Sequence, residues 1–416
     1  MKSEKKGRNC KSQSYRKITQ AISTMTKVYN FFRINNNFQY ISENNIQRLL
    51  VLSYGICQSK TVNISAINDE IDASISGRTT RASQYKWLIE AFQTGNIKPL
   101  LQQVFALIVG AFHEFGEVLQ ILIDRTNWDI GLRRVNILSL GMLYKDNIFM
   151  PLVHEDLGYK GNSDGETRLN LIKQLIAWWE FLKIPLPVFE IVGDREFIGE
   201  AWLSALEKLG IRYVIRLKSG LKFYEWLEQG MSGDKIEVKN ILANQLKQGN
   251  TSAEIVIGGE FIVRVVGTRN EGKDFDTEPY IYLITNNEDI SNAAHTYRKR
   301  WKIETCFKHL KSGGFNLEDM NLEFPHKTDI LMAVLSLVYA MTIFVAENNC
   351  EIKDIPMQKF KNNKVFPRVS TFRLGKSIMS AAKKWEDFIN IFLEMASFAF
   401  DKLLKNKILY INFKNS

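Results

Sequence analysis

Leu119-Gln120-Ile121-Leu122-Ile123-Asp124 is an apolar run that ends on an acid, and Val188-Phe189-Glu190-Ile191-Val192 runs in the same way into Gly193-Asp194. Runs of this length, rich in Ile, Leu and Val and bounded by turn residues, predict strands. Between them lie two more strand-like runs, Val135 to Leu143 and Ile148 to Val153, and an apolar helix from Leu169 to Leu182 that Pro185 and Pro187 close. Ala201 to Leu209 reads as a second amphipathic helix and Tyr213 to Leu217 as a fifth strand. Three sequential antiparallel strands, then helix, strand, helix and strand, make a mixed α/β sheet with helices on both faces. Strands one and four then lie side by side, which brings Asp124 and Asp194 together at one sheet edge, where ligands of open α/β sheets commonly bind.

Outward from that core the texture changes twice. Ile46 to Leu52 and Trp87 to Phe92 carry helical apolar spacing, so residues from about Ile18 to Gln103 form an all-helical N-terminal unit. Ile236-Glu237-Val238, Glu254 to Ile257, Phe261 to Val266 and Tyr280 to Ile284 read as strands with Gly-rich turns, a β insertion into the α/β plan. Residues 330–416 read as mostly helical and basic. Ile330 to Ala346 is uncharged and apolar but short for a membrane span and interrupted by Ser336, Tyr339 and Thr342, so it is expected as a buried core helix.

After the insertion comes Tyr297-Arg298-Lys299-Arg300-Trp301-Lys302-Ile303-Glu304-Thr305-Cys306-Phe307-Lys308-His309-Leu310-Lys311. As one helix it places Tyr297, Arg300, Glu304 and Lys311 within an arc of roughly 60°, beside an apolar stripe of Ile303, Phe307 and Leu310. An acid flanked by cations and a phenol suits a metal ion meeting a phosphodiester; a solvated amphipathic face is the plainer alternative. With Asp124 and Asp194, Glu304 completes three hard oxygen ligands suited to one or two Mg²⁺ ions and an in-line displacement at phosphorus. Each aspartate alone is as readily a turn former; the joint arrangement carries the reading. Arg195 either touches a phosphate or pairs with Glu196 or Glu200.

The 416 residues are 45% hydrophobic, enough to bury a large core. Lys and Arg number 55 against 45 Asp and Glu, a net charge of +10 that favours an anionic partner such as nucleic acid. The charge is concentrated in Lys2, Lys5, Lys6, Arg8, Lys11, Arg16 and Lys17, and no apolar signal core follows. Cys10, Cys57, Cys306 and Cys350 are too scattered for a disulfide framework or zinc knuckle, so a reducing cytoplasm is expected. The five histidines show no metal-ligand spacing, and Gly161-Asn162-Ser163-Asp164-Gly165 lacks a nucleotide-binding framework, so no nucleotide cofactor is expected.

Tyr297, Arg300, Glu304 and Lys311 match the Tyr-x2-Arg-x3-Glu-x6-Lys (YREK) signature, and with Leu122-Ile123-Asp124-Arg125-Thr126-Asn127-Trp128 and Val192-Gly193-Asp194-Arg195-Glu196-Phe197 the chain resembles the DDE transposases of bacterial insertion sequences, in the insertion sequence 4 branch. The resemblance spans roughly Leu119 to Asn321. It implies an RNase H-like catalytic domain (116–218 with 287–325) interrupted by the β insertion (219–286). Flanking it are a helical unit that binds DNA ends (1–115) and a helical C-terminal unit at a dimer interface (326–416). It further implies Asp124, Asp194 and Glu304 as catalytic residues that hold two Mg²⁺ or Mn²⁺ ions, with Tyr297, Arg300 and Lys311 on phosphates. The implied partners are double-stranded DNA, both terminal inverted repeats and target, and a second copy of the chain on paired ends, with no membrane. The implied activity is cut-and-paste transposition through a hairpin intermediate. Relatives support a flipped base with an aromatic from the insertion, usually Trp; here Tyr280 and Tyr282 stand near that place, as base support or as plain strand packing. An inactive or domesticated DNA-binding descendant and a related RNase H-fold nuclease are the alternatives.

Overall fold

The computed structural model describes residues 21–33, 42–93, 98–115, 118–248, 251–270, 278–348, 357–359 and 365–414. The basic positions from Lys2 to Lys17, with Cys10 and Cys350, lie outside them. Two compact units account for the chain: one draws on 1–113, 128–135 and 307–416, the other on 114–127 and 136–306.

The helical unit opens with α1 (21–33), α2 (Glu43–Ser59), α3 (Ile64–Glu70), α4 (Ala73–Ser76), α5 (Arg81–Glu90) and α6 (Lys98–Phe112). Their starts follow local chemistry: Ser42, Asn63, Asp72 and Thr80 each cap a helix by accepting a backbone N–H. Thr80 and Ser83 form a reciprocal capping box.

The second unit is built on one sheet. Its strands are β1 (Leu119–Ile130), β2 (Arg133–Tyr144), β3 (Ile148–Asp156), β4 (Phe189–Gly193), β5 (Arg212–Leu217), β6 (Lys222–Leu227), the two-residue β7 (Gly230–Met231) and β8 (Ile236–Glu237), β9 (Ser252–Ile257), β10 (Phe261–Arg269) and β11 (Tyr280–Thr285). Helices α7 (Gly165–Leu182), α8 (Glu200–Lys208) and α9 (Val238–Lys247) intervene, and α10 (Ala293–Arg298) and α11 (Trp301–Leu310) follow. The order is β3-β2-β1-β4-β5-β11-β10-β9-β6-β7, with β8 on β6. β1 and β2 meet in a two-residue turn at Gly131-Leu132, where Gly131 has φ +56° as tight hairpins demand. The tip of that hairpin belongs to the helical unit, where the Arg133 guanidinium donates to the Leu322 carbonyl and the Thr328 hydroxyl. β3 is antiparallel to β2. β4 is parallel to β1, with Leu122 opposite Val192, and β5 is parallel to β4. Antiparallel β3-β2-β1 followed by β4 and β5 parallel to β1 is the RNase H-like mixed α/β arrangement expected from the sequence.

Strands from the stretch after Lys218 extend this sheet rather than fold apart, because β11 pairs antiparallel with β5 through Tyr282–Leu217 to Thr285–Val214. One element there differs from expectation. Val238 starts α9 instead of continuing a strand, and Val238, Ile241 and Leu242 are buried at helical spacing.

C-terminal to the sheet, α12 (Pro325–Asn348), α13 (Thr371–Ala381) and α14 (Trp385–Lys414) return to the helical unit, with the β12 (Met357–Lys359) and β13 (Val365–Pro367) ribbon between α12 and α13. Among the described residues, α12 is the one helix long and apolar enough to cross a membrane. Its residues from Ile330 to Phe344 are all buried, as the sequence anticipated for a core helix. Cys57 and Cys306 are buried.

Three imidazoles give the fold a pH dependence: His113 is buried, and His154 and His309 are half-buried. Burial lowers the pKa of His154 to about 3 and that of His113 to about 4. His309, whose ring stacks on Phe372 at 4.0 Å, is lowered to about 4 for the same reason. All three are neutral when folded, whereas the unfolded chain takes up their protons below about pH 6.5. Their stabilisation is therefore complete above that pH and is lost on acidification, by about 2 kcal/mol per histidine at pH 5. Urea unfolding at pH 7 and pH 5 checks this, and equal stabilities would overturn it.

Candidate active site

Asp124 lies on β1 and Asp194 directly follows β4, so the parallel pairing of those strands carries both acids to the same end. The close approach depends on Gly193. A Cβ there would lie 3.1 Å from Ile123 Cγ2 and 3.2 Å from Phe197 Cβ, tighter than ordinary contact. Gly193→Val should therefore push the strand ends apart and cost roughly 1–3 kcal/mol; unchanged denaturant stability would contradict that packing.

The third acid arrives differently from the sequence expectation of one continuous helix. α10 ends at Arg298 and α11 begins at Trp301. The bonds across the break, Arg300 N–H to Tyr297 O and Ile303 N–H to Arg300 O, both span three residues, which tightens the turn and breaks the 3.6-residue row. Lys311 falls in the turn after α11 and belongs to the helical unit, where its ammonium pairs with Glu318 at 3.0 Å and lies 5.1 Å from the Trp128 ring centre.

The structure brings together Asp124, Asp194, Tyr297, Arg300 and Glu304. Arg300 joins them. Its guanidinium is 3.0 Å from Asp124 Oδ2, 2.7 Å from Glu304 Oε1 and 3.9 Å from Asp194 Oδ2. Tyr297 Oη donates to Asp194 Oδ1 at 3.0 Å. The backbone N–H groups of Arg125 and Arg195 each donate to the aspartate before them, at 2.8 Å.

Electrostatics follow from this crowding. Burial pushes the Asp124 carboxyl up to about 6, against the pull of Arg300 and the Arg125 N–H, with Glu196 and Glu304 adding to the rise. Burial opposes the Arg300 charge, but Asp194, Tyr297, Asp124 and Glu304 outweigh it and hold the guanidinium protonated. The Tyr297 phenol is raised by burial and then by Asp194.

A residue not picked out from the sequence supports this set. Arg216 on β5 lies close enough to the Tyr297 phenol to interact with it electrostatically and pairs with Glu278, which also pairs with Arg195 at 3.5 Å. The available signal was a cation inside the apolar strand Tyr213-Val214-Ile215-Arg216-Leu217. Arg195 is thus engaged by Glu278, neither of the acids considered for it. Arg125 makes the Glu196 ion pair instead and also binds Asn136 and Asn162, bracing the loop before α7. Tyr280 is 43% exposed and Tyr282 half-buried on β11, and among the described residues neither contacts the three acids.

Three carboxylates supply the hard oxygen donors that Mg²⁺ or Mn²⁺ requires. Among the described residues, no three His, Cys, Asp or Glu side chains are grouped closely enough to hold an ion as they stand. The reason is visible: the Arg300 guanidinium lies among the acids and is the charge on which they converge. The donor chemistry fits a divalent ion in place of that guanidinium.

Residues 160–341 match the family described as the transposase DDE domain, a stretch that includes Asp194, Tyr297, Arg300 and Glu304 and starts beyond Asp124. The match supports a transposase-type DDE enzyme. No curated protein matches the chain. Among solved structures, the chain is similar to an endonuclease V from Bacillus subtilis at 15% identity, covering 62% of this chain and 97% of that one, with a TM-score of 0.24. At that score the fold assignment rests on the strand order alone.

Proposed function

We propose that this protein is a transposase of the YREK branch, which cuts and joins the ends of an insertion sequence by metal-dependent phosphoryl transfer. The observation that carries the reading is the convergence of Asp124, Asp194 and Glu304 on one positive charge, from two neighbouring parallel strands and a helix. The transposase DDE match over residues 160–341 supports it.

Asp124, Asp194 and Glu304 would hold two Mg²⁺ or Mn²⁺ ions, which when bound make the attacking oxygen more nucleophilic and neutralise charge on the leaving oxygen. The chain's own groups do the positioning. Tyr297 fixes Asp194 through its phenol, with the Arg216 charge acting on that phenol, so the second acid keeps its orientation. Arg300 and Lys311 supply cations for phosphate oxygens near the cleaved end. The +10 net charge suits a duplex DNA partner, with inverted repeats bound by the N-terminal helices and the chain acting as a dimer on paired ends. In the reaction sequence, water cleaves a phosphodiester at the element end to leave a 3′-OH, which attacks the phosphorus of the opposite strand's phosphodiester, closing a hairpin as the flanking DNA leaves with its own 3′-OH. Opening the hairpin regenerates the 3′-OH that attacks target DNA. Tyr280 or Tyr282 would support the flipped base in the hairpin.

The test is to incubate the purified protein and Mg²⁺ with a duplex carrying the inverted repeat that flanks its coding region, and to resolve nicked, hairpin and strand-transfer products on denaturing gels. Cleavage without any joined or hairpin product would leave only a nuclease. Lys311→Ala should slow hairpin formation about tenfold or more, as expected for losing a charge-assisted phosphate contact; an unchanged rate would remove Lys311 from the reaction.

A further inference from the structure

Arg300 is placed strangely for a residue whose only task is to grip DNA. It is 5% exposed, and its guanidinium faces Asp124, Glu304 and Asp194 rather than solvent. Without a cation among them, three half-buried carboxylates would repel one another and swing apart. The guanidinium supplies that charge, yet it is not fully satisfied: Nε is buried and has no hydrogen-bond partner among the described residues. To one side lie the rings of Tyr297 and Trp301, with the guanidinium carbon 6.0 Å and 5.4 Å from their centres, and Trp301 is 61% exposed. Those aromatic faces offer a second resting place for a planar cation, next to solvent.

We propose that Arg300 is the resident cation of the metal-free site, holding the three carboxylates convergent, and that a divalent ion displaces its guanidinium towards the Trp301 side, where it meets a DNA phosphate. This rests on the reading of Asp124, Asp194 and Glu304 as metal ligands. An ion and the guanidinium repel each other at this range and compete for the same carboxylate oxygens, so binding of one drives out the other. Arg300 is then a positioning residue before metal binds and a phosphate ligand afterwards. Metal loading and DNA grip become one linked event.

Two measurements on the full-length protein without DNA test the exchange. Mn²⁺ titrated by calorimetry should bind Arg300→Met, which keeps the side chain's bulk, at least tenfold more tightly than wild type. Glu304→Gln should bind at least tenfold more weakly. In parallel, phenylglyoxal modification of Arg300, followed by peptide mass spectrometry, should be slow in the metal-free protein and rise at least fivefold at saturating Mn²⁺. An Arg300 that stays protected while Mn²⁺ binds, or an Arg300→Met affinity no higher than wild type, would overturn the displacement and leave the metal reading of the acids standing. Folded wild type and Arg300→Met that both fail to bind Mn²⁺ would instead remove the metal reading, and the displacement with it.

Discussion

Glu304→Gln is expected to lower Mg²⁺-dependent nicking of end-containing DNA by about 10³-fold or more, while leaving the protein folded and able to bind the same DNA. The two halves of that expectation have separate physical origins. In the fold, the Glu304 carboxylate, 36% exposed, makes an i,i+4 ion pair with Arg300 at 2.7 Å, and without that charge the buried guanidinium still has Asp124 at 3.0 Å, so it is not left unpaired. Ile303, Cys306, Phe307 and Leu310 hold α11 by burial instead, and glutamine leaves them untouched. In the chemistry, loss of one anionic ligand weakens metal stabilisation of the transition state, worth several kcal/mol, and each 1.36 kcal/mol is tenfold in rate. Gel-shift affinity within about threefold of wild type, together with lost nicking, is the expected pair of results. Nicking at the wild-type rate would take Glu304 out of the site; loss of binding as well would mean the side chain shapes the fold or the DNA surface more than its contacts indicate.

Why this site was readable follows from where its parts sit. Asp194 follows the end of β4, whereas Asp124 lies midway along β1, two residues past its last pairing with β4 at Leu122 and before the strand runs on to Ile130; the parallel pairing set by the crossover through β2, β3 and α7 brings the two acids together. Tyr297, Arg300 and Glu304 are close in the chain, and even with a break between α10 and α11 they stay on neighbouring turns. Lys311 was a projection of ideal helical geometry over eleven residues past Arg300, and the tightened turn at Lys299-Arg300 removes the basis of that projection. Arg216 and Glu278 were invisible for a different reason. Their roles arise from pairing between β5 and β11, 62 residues apart in the ion pair, and nothing local marks a lone charge in a strand as the partner of a distant phenol. The start of α9 is not legible although Val238, Ile241 and Leu242 carry its period, because Ile236-Glu237-Val238 is short and alternating, and short apolar runs do not separate strand from helix.

Gly375→Ala should destabilise the protein, although helix propensity alone predicts the opposite. Gly375 lies inside α13, and in an exposed helix interior alanine is better than glycine by about 1 kcal/mol. Here the helix has no room for it. A Cβ at position 375 would lie 1.8 Å from the Thr342 carbonyl oxygen and 2.8 Å from its carbonyl carbon, both backbone atoms of α12. Thr342 cannot yield by rotating a side chain: it is fully buried, and its hydroxyl already donates to the Val338 carbonyl at 2.7 Å. The two helix axes must separate, loosening contacts around Phe372 and Met379 on α13 and the buried run of α12. Overpacking of this kind costs about 3 kcal/mol, so the net loss after the propensity gain is about 2 kcal/mol, or about 5 °C in melting temperature for a unit of this size. Calorimetric melting of Gly375→Ala beside wild type decides between the two effects, since propensity and packing predict opposite signs. A rise in melting temperature would mean that α12 and α13 do not approach as closely as Gly375 and Thr342 indicate.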